Sequence, residues 1–237
     1  MPMDQLNQTN QWKKAAAEEA AALIKNGMVL GLGTGSTSAF FLVALSRRIA
    51  EEGLRISGIP TSEETAAQAR RLSIPLTTFS EHMEIDLTVD GADEVEADTL
   101  FLIKGHGGAL LHEKIVSTSS KHMTVIADES KLVSKLGSHV SVPVEVVSFG
   151  WEATEQKLRK IGANPSLRAG KDKKPFVTDG GNYILDCAFG AMEKPKDVAH
   201  HLDHIVGVVE HGLFLGIASQ ILMGGPDGVK ILQRSQK

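Results

Sequence analysis

The chain carries one cysteine, Cys187, in 237 residues, which excludes an intramolecular disulfide and any cysteine-built zinc site. A reducing compartment fits such a chain, with the cytoplasm as the default expectation, and Cys187 reads as a small buried apolar residue. Aromatic residues make up only 5% and prolines number 8; Pro-rich classes fall away, and 42% hydrophobic residues suffice for a packed core. An excess of positive charge is also missing, because 25 Lys+Arg stand against 29 Asp+Glu with a pI near 6.1. Lys171 to Lys174 is too short a basic cluster to form a stripe, so no nucleic-acid partner is expected. Long apolar runs are lacking too. The uncharged stretch from Asn26 to Ser46 is broken by Gly27, Gly31, Gly33, Gly35 and five hydroxyl residues, and no membrane span is expected. Glu18 and Glu19 interrupt the alanine run near the start, so no signal peptide is read there.

What is present is an alternation of apolar pulses and helix-forming segments. Trp12 to Lys25 is rich in strong helix formers; MVLGLG then reads as a strand, GTGSTS as a turn and AFFLVALSRRIAEEG as a helix. LRISGIP, a capped helix from TSEETAAQARRL, and a pulse at Ile74 to Phe79 repeat the pattern, which predicts a parallel sheet. IDLTVD, LFLI and MTVIAD read as further strands. Beyond Lys135 the texture changes to short strands around helices at Trp151 to Lys160 and Lys196 to His204, with Phe176 to Thr178 among the strand-like pieces. The expected fold is α/β: a Rossmann-like, mostly parallel sheet with helices on both faces, plus a smaller α+β (ferredoxin-like) unit. The apolar end of the chain can return to the first sheet, so the larger unit is expected to comprise 1–136 with 212–237 and the smaller one 137–211.

Three segments carry chemistry. Gly31 to Thr37, between a strand and a helix, offers flexible backbone, free amides at a helix N-terminus and hydroxyl donors, a set suited to a phosphate. It lacks the Lys-Ser/Thr ending of a nucleotide loop and a full dinucleotide fingerprint, and a tight turn with a helix cap is its plainer reading. Val89 to Glu94 places Asp90 and Asp93 where a parallel strand ends, against the plainer reading of an acidic surface turn. Lys104 follows another strand, and Glu113 lies nine residues later, beyond Gly105, Gly107 and Gly108. Moving a proton between adjacent sugar carbons needs a base for a weak carbon acid and a donor for the oxygen that becomes negative. Glu113 and Lys104 match those needs, and Asp90 and Asp93 can raise the pKa of the base while holding hydroxyls. The same acids repel a phosphate, which is expected at the far end beside Gly35, Ser36 and Thr37, with Lys13 and Lys131 as candidate counter-charges.

In that order GTGST (33–37), TSEET (61–65), VDGADE (89–94), KGHGGALLHEK (104–114), ADESK (127–131), PVEV (143–146), TDGGNYILD (178–186) and GGPDGVKIL (224–232) resemble the type A ribose-5-phosphate isomerases over nearly the whole chain. The resemblance implies interconversion of D-ribose 5-phosphate and D-ribulose 5-phosphate in the pentose phosphate pathway, without metal or cofactor, in a homodimer or homotetramer. By motif, the base falls on Glu113 with Asp90, Asp93 and Lys104 as its polar partners. Phosphate binding falls on Ser36, Thr37, Lys131 and Lys13, and Thr34, Gly35, Gly105, Gly107 and Gly108 shape the pocket. His106 departs from a run that is more often all glycine, and His112 from an arginine beside the base. The first places loop geometry in question if its φ is positive; the second suggests a pH-dependent charge near the pocket and an altered pH profile. His200 and His204 have helical i,i+4 spacing but no third ligand in the sequence, so they read as surface residues. The competing readings are a sugar-phosphate deaminase or coenzyme A transferase on a related fold, and a non-catalytic phosphosugar sensor.

Overall fold

The structure, a computed structural model, describes residues 3–233. A leading helix α1 (Met3–Ala22) is followed by β1 (Val29–Leu32), α2 (Ser36–Glu52), β2 (Ser57–Pro60), α3 (Glu63–Arg71) and β3 (Ile85–Asp90). Local chemistry sets these boundaries. Gly53, in the left-handed conformation, ends α2. Ser62 caps α3 by accepting the Thr65 N–H, and Glu63 and Glu64 in its first turn with Arg70 and Arg71 in its last complement the helix dipole. The chain continues through β4 (Glu94–Glu96), β5 (Phe101–Ile103), α4 (Leu110–Thr118), β6 (Ser120–Asp128), a single 3-10 turn over Glu129–Lys131, and β7 (Leu132–Val133). Next come β8 (Val142–Val146), α5 (Trp151–Lys160), β9 (Asn164–Leu167), β10 (Tyr183–Ala188), α6 (Pro195–Asp203), β11 (Val208–His211), β12 (Leu213–Phe214), β13 (Gln220–Gly225) and β14 (Gly228–Gln233).

Six strands form the main sheet in the order β14-β13-β6-β3-β1-β2, parallel throughout except for the β13–β14 hairpin. One face is covered by α1, α2 and α3, whose Ala16, Ala20, Phe41, Leu45 and Ala69 share a core with Leu30, Leu32, Val89, Ile126 and Leu222. Each large side chain buried there contributes roughly 1.5–3 kcal/mol. The opposite face is divided. Helix α4 lies over β1 and β3, close enough that a methyl on Gly31 would strike Thr88 and Val116. A second sheet, β12-β5-β4-β7, covers β6 and β13 by packing Val95, Leu102 and Phe214 on Met123, Val125 and Ile221. The parallel sheet with helices on both faces is as the sequence predicts; the small sheet is not foreseen, because strands of two or three residues are too short to show a period.

Residues 142–211 form an antiparallel sheet in the order β11-β8-β10-β9. With α5 and α6 as crossovers, the connectivity is that of the ferredoxin-like βαββαβ arrangement. Leu158 of α5 and Leu202 of α6 join Val142, Val144, Val146, Leu185 and Cys187 in one core, so the lone cysteine is buried as expected. The opposite side of this sheet, bearing Glu145 and Asp186, is turned toward the segment after β5. Some expected strands are absent: Ile74 to Phe79 contributes only a bridge between Leu76 and Gly58, and residues 176–178 contribute none, the bridge beside them joining Pro175 to Ala169. Helix α1 begins well before Trp12. After β12, strands β13 and β14 rejoin the main sheet; residues 1–2 and 234–237 of the expected larger unit lie outside the described residues. Among the described residues no helix is long and apolar enough to cross a membrane.

Candidate active site

In the main sheet β1 leads rightward to β2, whereas β3 returns on the other side of β1, so the order reverses between β1 and β3 and a crevice opens at their carboxyl ends. The two chemistry-bearing loops leave from these ends. Gly33 is required because a methyl there would run into the Asp90 carboxylate. That approach lets Asp90 Oδ1 accept the N–H groups of Thr34 at 3.1 Å and Gly91 at 2.7 Å, and the Ser38 hydroxyl at 3.3 Å. The β1 and β3 loops are thereby tied at one carboxylate.

Lys104, only 2% exposed, lies between two acids. Its Nζ is 2.9 Å from Asp90 Oδ2 and 3.4 Å from Glu113 Oε2, and it donates to the Gly91 carbonyl at 2.6 Å. Glu113, in the first turns of α4, is 3% exposed, and the Lys104 ammonium at 3.4 Å is the one polar group against its Oε2 among the described residues. One cation thus serves two buried carboxylates, and the charges do not balance when both acids are ionised. Burial, opposed by Lys104 and reinforced by Asp90 and Asp93, pushes the Glu113 pKa up to about 8. Burial acts to lower the Lys104 pKa, but Asp90 and Glu113 outweigh it and hold it above the usual lysine range. The lysine is therefore a fixed ammonium and the glutamate a base poised near neutrality.

At the other end of the crevice, Lys13 of α1 donates to the Ser36 hydroxyl at 3.1 Å. Gly35 adopts φ +109° and supplies no side chain to cap α2, so the first-turn amides of that helix face the crevice uncapped by a side chain. Lys13, Thr34, Gly35, Ser36, Thr37, Asp93, Lys104, Gly105, Gly107, Glu113 and Lys131 line one cleft of about 100 Å³. Asp90, fully buried, lies behind Lys104. A larger cavity of about 600 Å³ lies on the far side of α4, is mostly apolar and contains none of these groups.

Two expectations change. Gly108 does not line the cleft: at φ +84° it is packed under the Phe176 ring, where a methyl would collide. The Thr34 hydroxyl, expected to face substrate, is turned into a buried cluster with Thr61 (2.7 Å), Ser62 (2.8 Å) and Thr65 (3.0 Å), so that its methyl, not its hydroxyl, is turned toward Gly107. Thr65 in turn donates to the Gly33 carbonyl at 3.1 Å, bracing the anion loop from behind. Sequence reasoning took TSEET as a helix cap; the density of hydroxyls in it was the available signal.

The histidines also move away from the chemistry. His106 does not have positive φ, so its side chain causes no backbone strain; its N–H donates to Asp93 Oδ2 at 3.0 Å and its ring bonds the Ser141 carbonyl at 3.0 Å. His112 lines the apolar cavity rather than the cleft, because on α4 it projects away from Glu113. The reading of His112 as a charge at the pocket is corrected accordingly. His204 turns its Nδ1 to the His200 carbonyl at 2.7 Å. Asp203, Glu210 and His211 come together, but the Lys114 ammonium already holds Glu210 at 2.6 Å, and burial, with Lys114 nearby, pushes the His211 pKa down to about 4.

This geometry can be set beside known proteins. A family profile described as Ribose 5-phosphate isomerase A (phosphoriboisomerase A) matches residues 57–228. A Ribose-5-phosphate isomerase A of Gluconobacter oxydans (strain 621H) is 53% identical over 222 residues, spanning 93% of this chain and 96% of its own length. One of Synechococcus sp. (strain JA-3-3Ab) is 50% identical over 226 residues, spanning 95% and 98%. The solved ribose 5-phosphate isomerase A of Methanocaldococcus jannaschii superposes with a TM-score of 0.91 at 43% identity, over 94% of this chain and 99% of that one. A D-ribose-5-phosphate isomerase solved in complex with phospho-erythronic acid gives a TM-score of 0.92 at 39% identity, over 95% and 99%. With its motifs in order and its fold shared over 94–95% of its length, this chain belongs to the ribose 5-phosphate isomerase A family.

Proposed function

We propose that this enzyme interconverts D-ribose 5-phosphate and D-ribulose 5-phosphate by proton transfer through an enediolate, with Glu113 as the base. The observation that carries the reading is the buried Asp90–Lys104–Glu113 set sharing one crevice with the uncapped start of α2. The phosphate lies on Ser36, Thr37 and the first-turn amides, with Lys13 and Lys131 as counter-charges. This anchors the substrate tail at the end of the cleft opposite the acids.

From the open-chain aldose, Glu113 takes the C2 proton. Electron density moves onto O1, where the Lys104 ammonium stabilises the developing charge at no cost in reorganisation. Asp90 holds that ammonium in place. The proton on Glu113 exchanges with solvent during the lifetime of the enediolate, Glu113 then protonates C1, and a hydroxyl proton moves from O2 to O1, with Asp93 as the half-buried carboxylate placed in the cleft for that transfer. The overall change is an aldose carbonyl at C1 exchanged for a ketose carbonyl at C2, with no net gain or loss of protons or electrons. The phosphorylated acid in the related complex suits this chemistry, since a planar carboxylate resembles the two oxygens of an enediolate. The same reading includes a unit of 1–136 with 212–237, a second unit of 137–211, a homodimer or homotetramer, and a cytoplasmic location; light scattering on the purified protein tests the assembly.

The test is D-ribose 5-phosphate in deuterated water with and without chelator. Chelator-insensitive ketose carrying deuterium at C1 is expected. Binding without exchange supports a sensor, and amine release from an amino sugar phosphate supports a deaminase; either result replaces this reading.

A further inference from the structure

The loop after β5 carries Lys104 and then Gly105, His106 and Gly107, and its outer side is held by the ferredoxin-like unit. Arg168, immediately after β9, donates through Nη1 to the Gly105 carbonyl at 2.9 Å and to the His106 carbonyl at 3.1 Å. Its Nε donates to Asp186 Oδ2 at 2.9 Å, and its Nη2 pairs with Asp186 Oδ1, so the guanidinium is gripped bidentately by β10. The Arg168 side chain is 13% exposed, and its guanidinium lies 6.0 Å from the centroid of Phe176, the ring packed on Gly108. Several features of this unit therefore meet one five-residue loop.

The consequence follows from peptide geometry. In a trans peptide the C=O and the following N–H point in opposite directions. Arg168 draws the Gly105 carbonyl outward, and the N–H of that peptide, on His106, points to Asp93 Oδ2. Arg168 likewise draws the His106 carbonyl outward, which turns the N–H of Gly107 toward the cleft that Gly107 lines. Gly105 has φ +100°, which glycine adopts without strain, and its carbonyl also accepts the Gly108 N–H at 3.0 Å, so Arg168 shares that carbonyl with the loop's own turn. One side chain from the other unit thus fixes the His106–Gly107 peptide, aimed at the substrate, and reinforces the turn bond that orients the Gly105–His106 peptide toward Asp93. An ammonium cannot reproduce this, because it lacks the planar fork that holds Asp186 while reaching two carbonyls.

We propose that Arg168 is a positioning residue for the isomerisation, fixing the Gly105 to Gly107 peptides in their reactive orientation without touching substrate. This rests on the reading of the cleft given above and concerns only its sugar end, since the phosphate end is built from α1, the α2 start and Lys131. The experiment compares wild type, Arg168→Ala and Arg168→Lys for kcat, for KM, and for competitive inhibition by inorganic phosphate. Arg168→Ala is expected to lose about 10- to 100-fold in kcat, the scale of a sub-ångström to ångström misplacement. Its inhibition constant for inorganic phosphate stays within about twofold. Millimolar guanidinium, well below denaturing concentration, is expected to restore part of kcat in Arg168→Ala and none in wild type. If Arg168→Ala does not fold, Arg168→Lys carries the test, with a smaller kcat loss and unchanged phosphate inhibition. Wild-type kcat in the variant that folds overturns the proposal, as does a loss of phosphate affinity equal to the loss of kcat, which marks a general structural role. A wild-type enzyme that does not isomerise D-ribose 5-phosphate sinks the functional reading instead, so the two failures are distinguishable.

Discussion

Replacing Glu113 by Gln keeps the shape of a side chain that is 3% exposed and deletes the cleft's candidate for accepting a carbon-bound proton. General-base catalysis contributes roughly 10²–10⁴-fold, so kcat is expected to fall by that factor with little change in KM. The pH dependence is the finer measurement. With the carboxyl pushed up to about 8 by burial and by Asp90 and Asp93, the ionised base grows tenfold for each pH unit below that value. Wild-type log(kcat/KM) should therefore rise with a slope near one up to about pH 8 and then level. The stability of the fold runs the other way. A raised folded-state pKa means that the native protein keeps a proton that the unfolded chain releases above about 4.5. Stability from this group is full below that pH and declines through the window up to about 8, by at most about 1.4 kcal/mol per pH unit because one proton is involved. Glu113→Gln has no such proton and should gain on wild type in urea unfolding as pH rises from 5 to 8. Initial rates of ketose formation between pH 5.5 and 9.5, with urea midpoints at three pH values, test both statements. A wild-type rate profile that is flat down to pH 6, or a Gln variant within a few-fold of wild type, refutes the reasoning.

Other perturbations address the rest of the cleft. Lys131→Met is expected to raise KM about 10- to 100-fold with kcat nearly kept, the worth of one charge-assisted hydrogen bond; equal losses in kcat would place it at the reacting carbons. Thr65→Val removes a hydroxyl from the buried cluster behind the anion loop and leaves partners unsatisfied, so unfolding free energy should fall by about 1–3 kcal/mol and KM should rise. An unchanged thermal midpoint would show that the cluster is not required. Gly33→Ala drives a methyl into Asp90 and should depress kcat as well as stability by about 1–3 kcal/mol through overpacking; wild-type kinetics would contradict the close approach. His112→Arg should leave the pH–rate profile superimposable on wild type, because His112 faces the outer cavity; a shifted profile would return it to the cleft.

Much of this was legible in the linear chain because it depends on neighbours in sequence. Ser62 capping α3, Gly35 opening α2 and the apolar β1 and β3 are local matters of capping, backbone freedom and buried-strand composition. Asp90, Asp93, Lys104 and Glu113 stand out for the same reason, being polar residues where strands end and a helix begins. Two groups escaped. The short strands β4, β7 and β12 carry too few residues to show a period, and they form only because β6 and β13 offer them an apolar face. The Thr34–Thr61 contact of the hydroxyl cluster and the Arg168–Gly105 contact join residues 27 and 63 apart in sequence, and nothing near them in sequence reports the partner.

The amino-acid order by itself determined the types of chemical group available and the ends of the elements that bear them, since both follow from composition, caps and turns within a few residues. Tertiary structure decided which of those groups share a cleft, that Glu113 and Lys104 lose contact with water, and that His112 and the Thr34 hydroxyl face elsewhere. The physical reason is that desolvation and charge pairing depend on distance in space, and the separation of 56 residues between Thr34 and Asp90 becomes a hydrogen bond of 3.1 Å only when β1 and β3 lie side by side.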